Sequence, residues 1–273
     1  MEKTNTYLVP VDFTPAAVSA TKFAMDLAGK NNSEIILLHI IKSERDRREA
    51  EQTMKNFAEE NAAGFSKLTT KVVEGSLSEE IEQVAKIMNV DLVILGTHCI
   101  TGLGKVFRNH AFKIVEDVSV PLIIVQKETE FKSIKKIIMT IDLERESVQI
   151  LSMAARMGKL FNSEIILIAK EQYESEFKQK VNIHMAICHK FLREKGVEHR
   201  ILFVDGNNFL NNIFKICRDE DADLLAATYY QQHVHLFTES FVQTLAYNDL
   251  RIPLLTMDEE TTHSGGQFGA MWG

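Results

Sequence analysis

The six residues NSEIIL occur twice in this chain, at positions 32–37 and again at positions 162–167. The two copies lie 130 residues apart, and the same offset places Asp12 on Asp142. Six identities in register are improbable by chance, and this period is too long for a solenoid repeat. The sequence therefore predicts a duplicated domain, with domains at residues 1–130 and 131–257 and a C-terminal tail from 258.

An amphipathic helix precedes each copy of the repeated segment. Thr14 as N-cap and Pro15 at the first helical position predict where the first of these helices begins. Apolar residues then recur at i, i+3, i+4 and i+7, which places them on one helix face. These inner-face residues are Ala20, Phe23, Ala24 and Leu27 in the first copy and Ile150, Met153, Ala154 and Met157 in the second.

Strands and helices alternate within the first copy. Strands are expected at 7–11, 34–41, 68–73, 91–95 and 121–125. Three further helices are expected in this copy. The first is long, charged and solvated and covers 43–65, the second is opened by a capping box of Ser76 and Glu79, and the third covers 110–117. Because strands that alternate with helices are joined by right-handed crossovers, the expected fold class is α/β, with a parallel sheet covered by helices on both faces.

Composition excludes several classes of protein. The 273 residues suit two ordinary domains, and a hydrophobic share of 45% suffices for a sizeable core. The formal charge of −7 argues against a nucleic-acid binder, and no apolar run approaches the ~20 residues that a membrane span needs. Three widely spaced cysteines, without a Cys-x-x-Cys pair, indicate neither a disulfide framework nor a thiolate metal site. With too short an apolar stretch for a signal peptide at the N-terminus, the sequence predicts a cytoplasmic protein without nucleic-acid or membrane partners.

Four segments, taken together, resemble the universal stress protein family in its tandem, two-domain form. They are 10–14 (PVDFT), 34–40 with His39, 74–76 (EGS) and 91–103, which begins DLVILGTH. The resemblance covers about residues 1–257. It implies two tandem Rossmann-like domains, each a five-stranded parallel sheet, that pair within the chain as a pseudo-dimer. It also implies a stress-response role, in a family that divides into members that bind ATP and members that do not.

Ligands of such sheets bind at the carboxyl ends of the strands, where the strand order reverses. ATP-binding relatives share a loop of Gly, two residues, Gly, nine residues, then Gly followed by Ser or Thr. Glycine is needed because phosphate oxygens must approach backbone N–H groups directly. The resemblance therefore implies at most a weakened site for ATP or another adenine nucleotide in the first domain, since only the first of these four positions is kept. The candidate binding residues are Pro10, Val11, Asp12, Ile40, Leu95, Gly96, His98, Cys99, Gly102, Lys105, Asn109 and His110.

The second copy departs further from the loop, with Thr228, Gln231, Phe241 and Val242 at the four positions. No nucleotide is expected there, and the role of the loop that contains His233 and His235 stays open. His184 and Cys188 share one helix face, but companion ligands for a metal are lacking. Cys99, beside a helix N-terminus and two bases, is either redox-sensitive or simply a small loop residue.

Three functions remain open from the sequence. The leading interpretation is a non-enzymatic stress-response protein, with a possible homodimer and an unknown protein partner. One alternative is a nucleotide-free scaffold or partner-binding protein, and another is an adenine-nucleotide enzyme, either a nucleotidyl transferase or a phosphohydrolase. Asp12 itself has two interpretations: it contacts the base, or it serves the helix that follows it. Docking of Trp272 in the tail onto the body is a further hypothesis.

Overall fold

A computed structural model describes residues 5–97, 105–142, 145–148, 150–230 and 239–258. The chain divides into two compact units, residues 1–131 and 132–273. This division falls within a polar stretch of sequence, residues 128–132. The tail beyond residue 258, including Trp272, lies outside the described residues.

The first unit is a parallel α/β sheet with strand order β3-β2-β1-β4-β5. Its strands are β1 (Thr6–Pro10), β2 (Glu34–Ile41), β3 (Leu68–Glu74), β4 (Leu92–Thr97) and β5 (Leu122–Gln126). Its helices are α1 (Pro15–Asn31), α2 (Arg47–Asn61), α3 (Leu77–Ile87) and α4 (Lys105–Asp117). The strand order reverses between β1 and its neighbours β2 and β4, so the topological switch point lies beside β1.

The second unit repeats this arrangement with strand order β8-β7-β6-β9-β10. Its strands are β6 (Lys136–Ile141), β7 (Glu164–Lys170), β8 (His199–Val204), β9 (Leu224–Tyr229) and β10 (Leu254–Asp258). Its helices are α5 (Leu151–Phe161), α6 (Ser175–Lys195), α7 (Phe209–Asp219) and α8 (Glu239–Ala246). The pairs β6–β7, β7–β8, β6–β9 and β9–β10 are all parallel. The predicted fold class is confirmed in both units.

The repeated segment builds the same turn from helix to strand twice. Asn32 and Asn162 each end a helix in the left-handed conformation, with φ of 56° and 54°. Asparagine tolerates this conformation better than most residues. Ser33 and Ser163 follow, both buried, and each donates its backbone N–H to a carbonyl five residues earlier. The six repeated residues therefore fix how the chain leaves the helix and enters β2 or β7.

The helix before this turn begins differently in the two units. In α1, Thr14 Oγ1 accepts a hydrogen bond from the backbone N–H of Ala17 and Pro15 occupies the first turn, as predicted. The second unit has a short 3-10 turn, Arg145–Val148, and α5 begins only at Leu151. The apolar inner face predicted for the two helices is buried in both units.

The reason for this difference is steric. A Cβ atom on Gly96 of β4 would lie 2.3 Å from the carbonyl oxygen of Ala16, in the first turn of α1. Thr228 stands at the matching position of β9 and carries such an atom, so a helical first turn cannot approach the strand equally closely. The 3-10 turn contacts β9 instead.

Three local predictions need correction. The segment 43–65 is not one helix, because a 3-10 turn (Glu44–Asp46) precedes α2, and one face of α2 is buried rather than solvated. The α4 helix begins at 105 rather than 110. Before α3, the Ser76 hydroxyl donates to Glu79 at 2.7 Å, so these two side chains bind each other instead of capping the backbone.

Candidate functional site

Six of the twelve predicted binding residues lie at the carboxyl ends of β1, β2 and β4, three strands that adjoin one another. Pro10 ends β1, with Val11 and Asp12 directly after it, Ile40 is half-buried near the end of β2, and Leu95 and Gly96 lie near the end of β4. His98, Cys99 and Gly102 lie outside the described residues, as do the side chains of Lys105, Asn109 and His110. Whether these residues bind a ligand stays a prediction.

Asp12 is exposed and uses one carboxylate oxygen to shape the chain. Its Oδ1 accepts hydrogen bonds from the backbone N–H of Thr14 at 3.1 Å and from the Thr14 hydroxyl at 2.6 Å. Thr14 in turn caps α1, so Asp12 helps to set the start of that helix. Among the described residues, none donates to Oδ2. Asp12 therefore combines a structural oxygen with one that is accessible to a ligand.

An aromatic cluster supports the turn next to Asp12. Phe13 has φ of 62°, which is unusual for a bulky residue. Its ring centroid lies 4.4 Å from that of His39 and 5.8 Å from that of Phe57, which comes from α2. Because the Val11 carbonyl can only accept, His39 Nδ1, 2.7 Å away, carries a proton and donates it. The strained turn is held by these contacts.

Sequence reasoning missed the role of Phe13, although an aromatic residue directly after an aspartate that follows a strand could have indicated it. Nothing in the sequence of α2 indicates that Phe57 would reach this turn. His39, near the end of β2, is committed to a hydrogen bond with the Val11 carbonyl.

Gly96 has a structural explanation that requires no ligand. Its hypothetical Cβ would lie 2.3 Å from the oxygen and 2.5 Å from the carbon of the Ala16 carbonyl group, and these are backbone atoms that no rotamer change can move. The glycine lets α1 pack directly on β4. The single retained position of the glycine loop is therefore not by itself a sign of phosphate binding.

The corresponding place in the second unit is filled by side chains. Asp142 is buried, and its Oδ1 accepts a hydrogen bond from the Tyr230 hydroxyl at 3.2 Å. Its backbone carbonyl accepts from His184 Nδ1 at 3.0 Å. Tyr229, beside Tyr230, is also buried. An accessible carboxylate like that of Asp12 is therefore lacking at Asp142.

The pair of His184 and Cys188 has no metal-site character. Burial raises the pKa of the Cys188 thiol to about 12, so the thiolate that a metal would need is strongly disfavoured. His184 is committed to the Asp142 carbonyl. Across the described ranges, no group of three or more His, Cys, Asp or Glu side chains is arranged to hold a metal ion.

A network of four charged side chains, here called the edge network, lies at the amino-terminal end of the second sheet. Lys136 contacts Glu164 at 2.5 Å and Glu220 at 3.3 Å, and Arg200 contacts the same two carboxylates at 2.8 and 2.6 Å. Hydrogen bonds from Lys136 to Glu164 and from Arg200 to Glu220 hold the pKa of each carboxyl below its ordinary value. The network is remote from the carboxyl strand ends and ties three strands to α7.

Within the described ranges, no helix is both long enough and apolar enough to cross a membrane.

Comparison with known proteins identifies the family of the first unit and supports the fold of the whole chain. Residues 4–126 match the model of the universal stress protein family. A universal stress protein of Methanocaldococcus jannaschii is 21% identical over 137 residues, which are 44% of this chain and 81% of that protein. The crystal structure of a universal stress protein from Archaeoglobus fulgidus is similar with a TM-score of 0.74, at 14% identity over 94% of this chain and 99% of that one. A functionally unknown protein from Pseudomonas aeruginosa has a TM-score of 0.63, at 15% identity over 95% of each chain.

Proposed function

Because residues 4–126 belong to the universal stress protein family, we propose that this chain is a non-enzymatic stress-response protein with one weakened adenine-nucleotide site, in its first domain. The observation that carries this proposal is the contrast between two matched aspartates. Asp12 is exposed and keeps one oxygen accessible, whereas Asp142 is buried beneath the Tyr230 hydroxyl. Only the first domain presents a carboxylate to a ligand at this position.

The described residues suit the base end of a nucleotide. The half-buried Ile40 offers an apolar contact, and Asp12 Oδ2 can accept a hydrogen bond from an amino or hydroxyl group. Toward the phosphates, Cys99 and Asn109 stand where ATP-binding relatives have glycine. Because a side chain in place of glycine hinders the approach of phosphate oxygens to backbone N–H groups, we expect the site to be weak.

A calorimetric titration of the full chain with MgATP tests the proposal. Asp12→Asn removes the accessible carboxylate charge but keeps an oxygen for Thr14, so α1 should still begin normally. We expect this variant to weaken ATP binding severalfold. Asp142→Asn is the matched control and should leave ATP affinity unchanged. Loss of binding in the control but not in Asp12→Asn would refute the assignment to the first domain.

A nucleotide-free scaffold is the second candidate, and one observation favours it. Both Asp12 and Gly96 have structural roles that account for their presence without any ligand. Native mass spectrometry of the purified chain separates the two candidates. A mass increment that matches an adenine nucleotide supports the first, and a bare chain that gives no heat with ATP supports the scaffold.

The adenine-nucleotide enzyme has no such support among the described residues. Release of phosphate or AMP from MgATP, at a rate that depends on Lys105 or His98, would overturn the non-enzymatic role. Pairing of the domains within the chain, a homodimer, an unknown protein partner and a cytoplasmic location stay predictions from sequence and resemblance.

A further inference from the structure

We propose that His189 and His199 form a surface site for a divalent transition-metal ion that favours imidazole ligands. His189 lies on α6 and is exposed, and His199 begins β8 and is half-buried. His199 Nε2 lies 2.8 Å from His189 Nδ1, and the ring centroids are 4.9 Å apart. Two ring nitrogens thus converge at the surface from two separate elements, remote in sequence from the nucleotide-site residues.

The hydrogen bonds define which nitrogen can bind a metal. His199 Nδ1 lies 2.8 Å from the Val197 carbonyl oxygen, and a carbonyl can only accept, so Nδ1 carries a proton. In the neutral ring, Nε2 therefore holds a lone pair, which accepts the Nδ1 proton of His189. Histidines that bind metals commonly donate their other ring N–H to a backbone carbonyl, as His199 does to Val197, and this bond orients the imidazole.

The turn that orients His199 is rigid. Gly196 ends α6 with φ of 67°, and the backbone N–H of Val197 donates to the Leu192 carbonyl at 2.9 Å. Val197 itself is buried. The carbonyl that holds His199 is thereby fixed to the end of the same helix that carries His189. Little conformational freedom is lost when the two rings bind one ion.

A metal ion fits with small movements of the two rings. With metal–nitrogen bonds of about 2.1 Å, two ligand nitrogens lie about 3.0 to 3.4 Å apart. The rings must separate by only a few tenths of an ångström from 2.8 Å and turn toward the ion. The proton now between them moves, through water, to Nε2 of His189, so both rings stay neutral and no net proton is released. Water completes the coordination, and copper(II) should bind most tightly of the divalent first-row metals.

Zinc titration of the full chain at about pH 8 tests the site. NMR of 15N-labelled histidine should show that Zn²⁺ shifts His199 Nε2 and His189 Nδ1 together, and that His189 changes tautomer. This measurement needs no substitution. If both nitrogens keep their shifts at saturating Zn²⁺, the proposal is wrong.

Substitution gives an independent test by calorimetry. His189→Gln and His199→Gln should each weaken Zn²⁺ binding at least tenfold, because one nitrogen alone no longer chelates. The double variant His233→Gln/His235→Gln is the matched control, since it removes two imidazoles that lie elsewhere in the sequence, and should change affinity less than twofold. Loss of affinity in the control with none in the single variants would overturn the proposal.

Discussion

Replacing Gly96 by alanine separates a structural role of this glycine from a ligand-binding one. The new Cβ would lie 2.3 Å and 2.5 Å from the oxygen and carbon of the Ala16 carbonyl, and 2.9 Å from the nitrogen of Ala17. All three are backbone atoms in the first turn of α1. Since no side chain can rotate away, the start of α1 must shift by about 1 Å, with loss of packing against β4.

The cost of this shift can be estimated. Overpacking typically destabilises a protein by about 1 to 3 kcal/mol, and contacts with backbone place Gly96→Ala at the upper end, near 3 kcal/mol. For a domain of this size, 1 kcal/mol corresponds to about 4 °C in Tm. We therefore expect the first domain of Gly96→Ala to melt about 12 °C below wild type.

Gly29→Ala, within α1, is the matched control. A Cβ at Gly29 meets no atom within 4 Å, and alanine is favoured over glycine in a helix by about 1 kcal/mol. Differential scanning calorimetry should show its first-domain transition about 4 °C above wild type. A Gly96→Ala transition within about 2 °C of wild type would refute the steric argument. Ligand binding would then be the remaining explanation for a glycine at this position.

Three further predictions follow from the other sites. Cys99→Gly combined with Asn109→Gly should strengthen MgATP binding in calorimetry, and an unchanged affinity would show that the site does not use this loop. In the edge network, the hydrogen bond from Lys136 is the main cause of the lowered pKa of Glu164. The stabilisation that Glu164 contributes is therefore complete above the unfolded pKa of about 4.5 and is lost as the pH falls through the lower pKa of the folded protein. Glu164→Gln should thus be less stable than wild type in urea at pH 7 and approach it at pH 3, and an equal gap at both pH values would contradict this. Burial raises the pKa of Cys188 and Cys217 to about 12, so iodoacetamide should label these two cysteines only in unfolded protein. Peptide mapping separates them from Cys99, and label on Cys188 or Cys217 of the folded chain would contradict this.

Local sequence signals predicted much of the fold. Thr14 and Pro15 marked the start of α1, and β2 has the bounds that its run of apolar residues indicated. The repeated NSEIIL segment revealed the second domain because identical residues form identical turns in both copies. Each of these features depends on residues close together in the chain, which is why sequence alone could show it.

The features that were missed depend on residues brought together by the sheet. Thr228 prevents a helical turn that begins more than 80 residues before it, and Tyr230 reaches Asp142 across a separation of 88 residues. His189 and His199 meet only because α6 packs on β8. No spacing rule within one element could have indicated these contacts. For the candidate site, the sequence could predict which residues lie at the strand ends but not which side chains surround them.

The proposed function, together with the different surroundings of Asp12 and Asp142, predicts how many nucleotides one chain binds. Duplication ordinarily creates two equivalent receptors, whose occupancy can be coupled. Because the Tyr230 hydroxyl donates to Asp142, a single chain should bind one nucleotide at saturation. Its binding isotherm should be hyperbolic, with a Hill coefficient of one. The second copy then contributes a scaffold that does not respond to the concentration of that ligand.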